Sequence, residues 1–176
     1  MSETQRVPAV GEASSPAGTY QVDGENSTVR FRAKAFGLMW VRGSLPVIGG
    51  SVEIADGQWR GNLLLGADGI GTGLGPRDLH LRSSHYLGAD KHPVISVSVD
   101  NFDPSEDIAI GEVVVRDKAV TVQFEVKTAG VVDGSLLRVT ASTELDRTVF
   151  PMLGPWAGVS RRVNLEATIH ARPVAG

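Results

Sequence analysis

The sequence predicts an all-β fold, an eight-stranded antiparallel up-and-down barrel with one short helix inserted between strands 3 and 4. Three observations predict it. Apolar residues recur with period two through most of the chain after Gly18, the pattern of strands with one buried and one wet face. Tight-turn residues separate successive runs, so sequence neighbours pair as hairpins. One segment, Pro76 to Gly88, breaks the period.

The strands follow in order. Residues 19–35 carry Val29, Phe31 and Ala33 against Arg30, Arg32 and Lys34. Weaker runs occupy 40–54 and 58–68, the second with Leu63 and Leu65. Ile95, Val97 and Val99 alternate with Ser96, Ser98 and Asp100 in 94–102, and Val113 and Val115 fall in 107–116. Residues 119–129 set Val120, Val122, Phe124 and Val126 against Thr121, Gln123, Glu125 and Lys127. Leu137, Val139, Ala141, Thr143 and Leu145 form the row of 135–146. The last strand, 160–172, opposes Val163, Leu165, Ala167, Ile169 and Ala171 to Asn164, Glu166, Thr168, His170 and Arg172. Turns are expected at Ala55-Asp56-Gly57, Arg116-Asp117-Lys118 and Val132-Asp133-Gly134. Eight strands of this kind can close on themselves, which removes exposed edges. In the aperiodic segment, Pro76 suits a first helical turn and Gly88 a C-terminal cap.

Composition narrows the function. The 176 residues suit one domain: a flexible tail over 1–17 and a barrel over 18–174. The small, polar composition of the tail cannot bury enough apolar area to offset ordering. There is no cysteine, hence no disulfide and no thiolate metal site. A net charge of −3 gives no electrostatic footprint for nucleic acid. Met1 to Pro16 lacks the basic and apolar regions of a signal peptide, and no run reaches the length of a membrane span; a cytoplasmic location is expected.

Candidate chemistry is sparse. The run Gly66 to Gly75 lacks the endings and spacings of phosphate-binding loops and reads as a connector. His80, His85 and His92, with Asp78 and Asp90 nearby, form the best metal candidate. Five residues on a helix turn about 500°, so His80 and His85 do not share a face. No metal or other cofactor is expected, and no nucleophile, base and orienting group can be assembled. An enzyme built on these histidines stays as an alternative, as does a filled-core barrel acting through its surface. The row Arg30, Arg32, Lys34 and Arg42 is either a solvated strand face or a site attracted to an anionic membrane or a ligand head group. Arg77 and Arg82 serve either as local clips or as ligand contacts. Trp40 and Trp156 either line a mouth or simply pack.

The inserted segment carries a resemblance. Arg77-Asp78-Leu79-His80-Leu81-Arg82-Ser83-Ser84-His85-Tyr86-Leu87, followed by Asp90-Lys91-His92-Pro93, resembles the signature of the YceI-like family. Its pattern is R-D-x-H-L-R-S-x-x-F-L with a later proline. Tyr20 to Phe31, Gly43 to Gly50, Gly111 to Lys118 and Asp146 to Phe150 resemble other family segments, so the likeness spans about 18–172. Asn26 and Ala35 stand where the family has histidines, and Pro151 stands where it has glycine. The resemblance implies a bacterial, lipocalin-like barrel that binds a polyisoprenoid, such as a prenyl quinone or prenyl phosphate, for storage, transport or sequestration. Many members are periplasmic. It makes this a binding protein rather than an enzyme, with possible transient membrane contact and a possible homodimer as further expectations.

On this reading the pocket candidates are Val29, Phe31, Ala33, Phe36, Trp40, Leu63, Leu65, Leu81, Tyr86, Ile95, Val97, Val113, Val115, Val122, Phe124, Val139, Ala141, Leu165 and Ala167. Arg77, Asp78, His80 and Arg82 are the head-group or helix-signature candidates. Inward rows rich in Ala, Val, Ile and Leu, with aromatics only 6% of the chain, leave room in a barrel of this size.

Overall fold

The computed structural model describes residues 15–150 and 160–175. The expected tail up to residue 14, Pro151 and Trp156 lie outside the described residues. Ten strand segments form one sheet: β1 (Gly18–Val22), β2 (Thr28–Ala35), β3 (Met39–Leu45), β4 (Val47–Ala55), β5 (Gln58–Gly66), β6 (Val94–Phe102), β7 (Ile108–Val115), β8 (Lys118–Val132), β9 (Leu136–Asp146) and β10 (Arg162–Pro173). All pairings are antiparallel, in the order β1-β4-β5-β6-β7-β8-β9-β10-β2-β3. β1 also pairs with β10, which closes the barrel.

The closed barrel has eight strands because β1 and β2 run along the same neighbour, β10, and β3 and β4 run along β2 and β1. The expected strands 19–35 and 40–54 are therefore each broken once. The first breaks at Asp23-Gly24-Glu25-Asn26-Ser27, where side chains compete with the ladder. The Asp23 carboxylate accepts from the Asn26 side chain at 2.7 Å. Buried Ser27 donates to the Asp23 carbonyl at 2.6 Å and accepts from the His170 amide at 3.0 Å. The second breaks at Pro46, which has no N–H for the ladder. Its carbonyl instead accepts from the Gly66 amide at 2.9 Å. Beyond this break β3 leaves β5 and meets the connector after β5, through paired Ser44–Gly71 backbone bonds of 2.8 and 3.0 Å.

Hairpins set the two ends. Phe36-Gly37, Asp56-Gly57, Arg116-Asp117 and Asp133-Gly134 all have positive φ at both positions, the geometry that matches strand twist. The upper end holds the β2–β3 and β7–β8 hairpins, the segment between β5 and β6, and a helical turn at Arg147–Val149. The lower end holds the β4–β5 and β8–β9 hairpins and the outer ends of β1 and β10. It is packed by buried Tyr20, Ile54, Trp59, Phe102, Leu137 and Ala171. Trp59 and Phe102 meet edge to face, with ring centres 6.1 Å apart.

The inserted helix, α1, spans Gly75–Arg82, shorter than the expected 76–88. Ser83 takes an extended conformation and its hydroxyl donates to the His80 carbonyl at 2.6 Å, capturing an acceptor at the helix end. Gly88, at φ 58, closes the following turns rather than the helix. No helix among the described residues is long and apolar enough to cross a membrane.

Candidate binding cavity and its mouth

Inward side chains of the strands surround two adjacent lobes. The upper lobe has a volume of about 230 Å³ and the lower about 160 Å³. Leu63, Val97, Phe124, Ala141 and Ala167 line both and form the waist between them. The alanines matter because each leaves about a side chain's space at the narrowest level. In the upper lobe Arg147 is the only charged lining residue among those described. Its Nε donates to the Ser160 carbonyl at 2.9 Å, which holds it at the upper end.

Two inward glycines keep the interior open. Gly43 pairs with Phe31 across β2 and β3. A Cβ at Gly43 would lie 2.4 Å from Cζ of Phe31, so the ring tip occupies the space that a side chain there would take. Gly111 on β7 likewise receives Phe124, whose ring would lie 3.0 Å from an added Cβ. Each ring therefore takes up part of its space beside a glycine, where a larger residue would collide with it.

The segment between β5 and β6 roofs the upper lobe with Ile70, Leu81, Tyr86 and Leu87, and Phe150 adds to the roof after β9. Polar bonds hold this roof in place. Arg77 donates through Nε to the Thr72 hydroxyl at 2.7 Å and through its Nη to the Thr72 carbonyl at 3.0 Å. Asp78 accepts from the Thr72 hydroxyl and from the Thr72 amide, the latter at 2.8 Å. These bonds hold its carboxyl below the usual carboxylate range, the Thr72 hydroxyl bond contributing most. Arg82 donates to the Ile70 carbonyl at 3.1 Å. His80 meets the Tyr86 ring at 4.9 Å. Across the barrel mouth, Arg116 donates to the carbonyls of Ser84 and Tyr86 at 2.8 and 2.9 Å, and His92 approaches Asp117 at 3.4 Å. Arg116 sits at φ 51, where a non-glycine residue is strained, and its bonds to the roof offset that cost.

The structure brings most pocket candidates together. Val29, Phe31, Ala33, Leu63, Leu65, Leu81, Tyr86, Ile95, Val97, Val113, Val115, Phe124, Ala141, Leu165 and Ala167 line the upper lobe, and Val139 lines the lower. Val122 is buried in the wall but lines neither lobe. Phe36 and Trp40 are not in the pocket. Phe36 occupies a turn position at φ 52 and is 71% exposed. Trp40 pairs with Lys34, so strand parity puts it on the outer face. Arg77, Asp78, His80 and Arg82 line neither lobe and tie the roof to the Ile70–Thr72 connector or to itself. The helix histidines do not converge: among the described residues no three His, Cys, Asp or Glu side chains gather where a metal could sit. Of the basic row, Arg30 faces Glu166 across the ladder, while Arg32 and Lys34 lie over the Trp40 ring at 4.9 and 5.2 Å.

Sequence reasoning missed Val41, Leu45, Ile70, Leu87, Arg147 and Phe150 as lining residues. Val41 and Leu45 continue the alternation from β2 across the hairpin and were findable by parity. Arg147 had no such signal, because it follows the last residue of β9.

Together these features define a closed antiparallel β-barrel with a roofed, apolar internal cavity. The YceI-like domain model matches residues 20–171, and the chain belongs to that family. The UPF0312 protein ECA1782 of Pectobacterium atrosepticum is 26% identical over 88 residues, 48% of this chain and 46% of that protein. The chain thus spans about half the length of the curated relatives it matches. Among solved structures, Burkholderia cenocepacia BcnA superposes with a TM-score of 0.73 at 15% identity, covering 85% of this chain and 98% of that one. A polyisoprenoid binding domain from Saccharophagus degradans, implicated in plant cell wall breakdown, superposes with a TM-score of 0.67 at 10% identity, over 90% and 100% of the two chains. At these identities the likeness is one of fold.

Proposed function

We propose that this protein binds a single extended apolar chain, of prenyl type, inside the barrel, and serves to store, carry or sequester it. The observation that carries the reading is the pair of adjacent lobes, lined mainly by aliphatic and aromatic side chains, that share five lining residues and are stacked between the roof and Trp59. A narrow lumen suits a thin chain better than a compact ring system.

Its length sets a scale. Val163 and Ile169 on β10 line opposite lobes, six residues apart, which is roughly 20 Å along a strand and about 15 Å along a barrel axis at the usual tilt. An extended chain advances about 1.2 Å per bond by the geometry of an extended peptide, so roughly 12 bonds, or three isoprene units, fit. Burying about 12 to 15 carbons at ~0.8 kcal/mol each yields about 10 to 12 kcal/mol before association costs of at least ~4 kcal/mol. The balance, at most about 6 to 8 kcal/mol, corresponds to binding between tens of micromolar and about 1 μM. A longer prenyl chain would leave its remainder and its head group at the upper end. Arg147 is the group there that would favour an anionic or carbonyl-bearing head, as in a prenyl phosphate or prenyl quinone. The solved polyisoprenoid binding domain with the same fold lends support to this class of cargo.

Organic extraction of the purified protein with mass spectrometry, and titration of the stripped protein with prenyl alcohols, test the proposal. Co-purified prenyl lipid, or saturable uptake at one chain per protein, is expected. An empty extract together with no uptake overturns it.

A further inference from the structure

We propose that the β2–β3 hairpin docks the upper end of the barrel onto an anionic lipid surface. Phe36, Leu38, Met39 and Trp40 are 71, 89, 63 and 43% exposed. Four large apolar side chains within five residues of a hairpin tip are far more than a turn requires. The local backbone sharpens the point. Phe36 holds φ 52 and Gly37 φ 69, positions that favour Asn, Asp or Gly. A phenylalanine at the first of these opposes local preference, and such a conflict marks a functional demand. This exposed apolar tip suits insertion into a soft interface.

The charges beside it indicate which interface. Arg32 and Lys34 lie over the Trp40 ring at 4.9 and 5.2 Å, and Arg42 pairs with Arg32 on the same outer face. Apolar and aromatic groups at a tip, with cations on long stems set back from it, match the layering of a bilayer interface with anionic head groups. The chain as a whole carries a net charge of −3, so an anionic surface repels most of the molecule and attracts this patch. The choice of end is also coherent. Ala33 and Val41, just behind the tip, line the upper lobe, so docking brings the lumen next to the lipid. Delivery of cargo at this point rests on the binding reading above; docking itself does not, and is tested without cargo.

The test is flotation of stripped protein with vesicles of phosphatidylglycerol and phosphatidylethanolamine, compared with phosphatidylcholine alone. Binding is expected to be at least about tenfold stronger to the anionic vesicles and to fall with added salt. Leu38→Asp, at a position 89% exposed, is expected to weaken it by at least about tenfold with an unchanged circular dichroism spectrum. Arg32→Gln with Lys34→Gln should remove the preference for anionic lipid. Brominated lipids should quench wild-type fluorescence, and Trp40→Phe should reduce that quenching while flotation persists. No flotation with anionic vesicles, equal binding to both compositions, or full binding by Leu38→Asp would each overturn the proposal. So would light scattering that shows a dimer converted to monomer by Leu38→Asp, since the tip would then serve a second copy of the chain.

Discussion

Phe31 and Phe124 point into the barrel, and Gly43 and Gly111 make room for each ring where a Cβ would come within 2.4 and 3.0 Å of it. Volume in the lumen is therefore controlled by four residues as much as by the alanines of the waist. Gly111→Ala would place a methyl 2.4 Å from the Ser98 carbonyl oxygen and 3.0 Å from the Phe124 ring. We expect a loss of about 1 to 3 kcal/mol in stability, the usual cost of overpacking, read by denaturant unfolding, together with weaker uptake of prenyl chains. Ala167→Leu is the complementary test. It fills the waist from a site that lines both lobes, so stability should hold within about 1.5 kcal/mol while uptake of long chains falls more than that of short ones. Small inward residues and scarce aromatics were legible in the sequence. The matching of ring to glycine was not, because it depends on cross-strand register, Phe31 against Gly43 and Phe124 diagonal to Gly111.

At the scale of elements, the segment between β5 and β6 was legible as a helix, and Leu81 and Tyr86 in it were legible as pocket candidates; Leu87 was not, because the segment has no period that would place it. Its charged members were read either as local clips or as ligand contacts, and they bond to Thr72 and Ile70. The turns at Asp56-Gly57, Arg116-Asp117 and Asp133-Gly134 were all legible; what the sequence did not show is that Arg116, in a turn without glycine, gains hydrogen bonds to the roof. The strand breaks were hidden because Pro46 and Asp23 to Ser27 sit inside runs whose alternation continues on both sides. An acid dependence follows from the roof. The Asp78 carboxyl is held below its ordinary value, chiefly by the Thr72 hydroxyl, so folding favours its ionised form. That contribution is complete above the usual carboxylate pKa of about 4 and is lost as pH falls toward the depressed native value. Asp23, Asp103 and Asp146 are shifted in the same direction and share in acid sensitivity. Thermal unfolding between pH 6 and pH 3 should show Asp78→Asn less stable than wild type at pH 6, with the gap narrowing on acidification. A gap that widens would contradict this role.

At the scale of the molecule, eight strands bring a barrel to the size at which side chains either fill it or leave room for one ligand. Period-two alternation shows which faces point inward and the β1–β10 pairing closes the barrel, but the choice between full and hollow lies in side-chain volumes at a few levels. Here the lower end is filled by Trp59, Phe102 and Leu137, and the space above it is apolar up to the roof. The account's central claim is that this space takes one linear apolar chain. The most direct test is affinity across a ladder of prenyl alcohols of increasing length, measured on the stripped protein by native mass spectrometry. A single bound chain is expected, with affinity rising by roughly tenfold or more per added isoprene unit up to about three units and then levelling, since each buried CH₂ contributes ~0.8 kcal/mol. Absence of any complex, or an affinity that does not change with chain length, would contradict it.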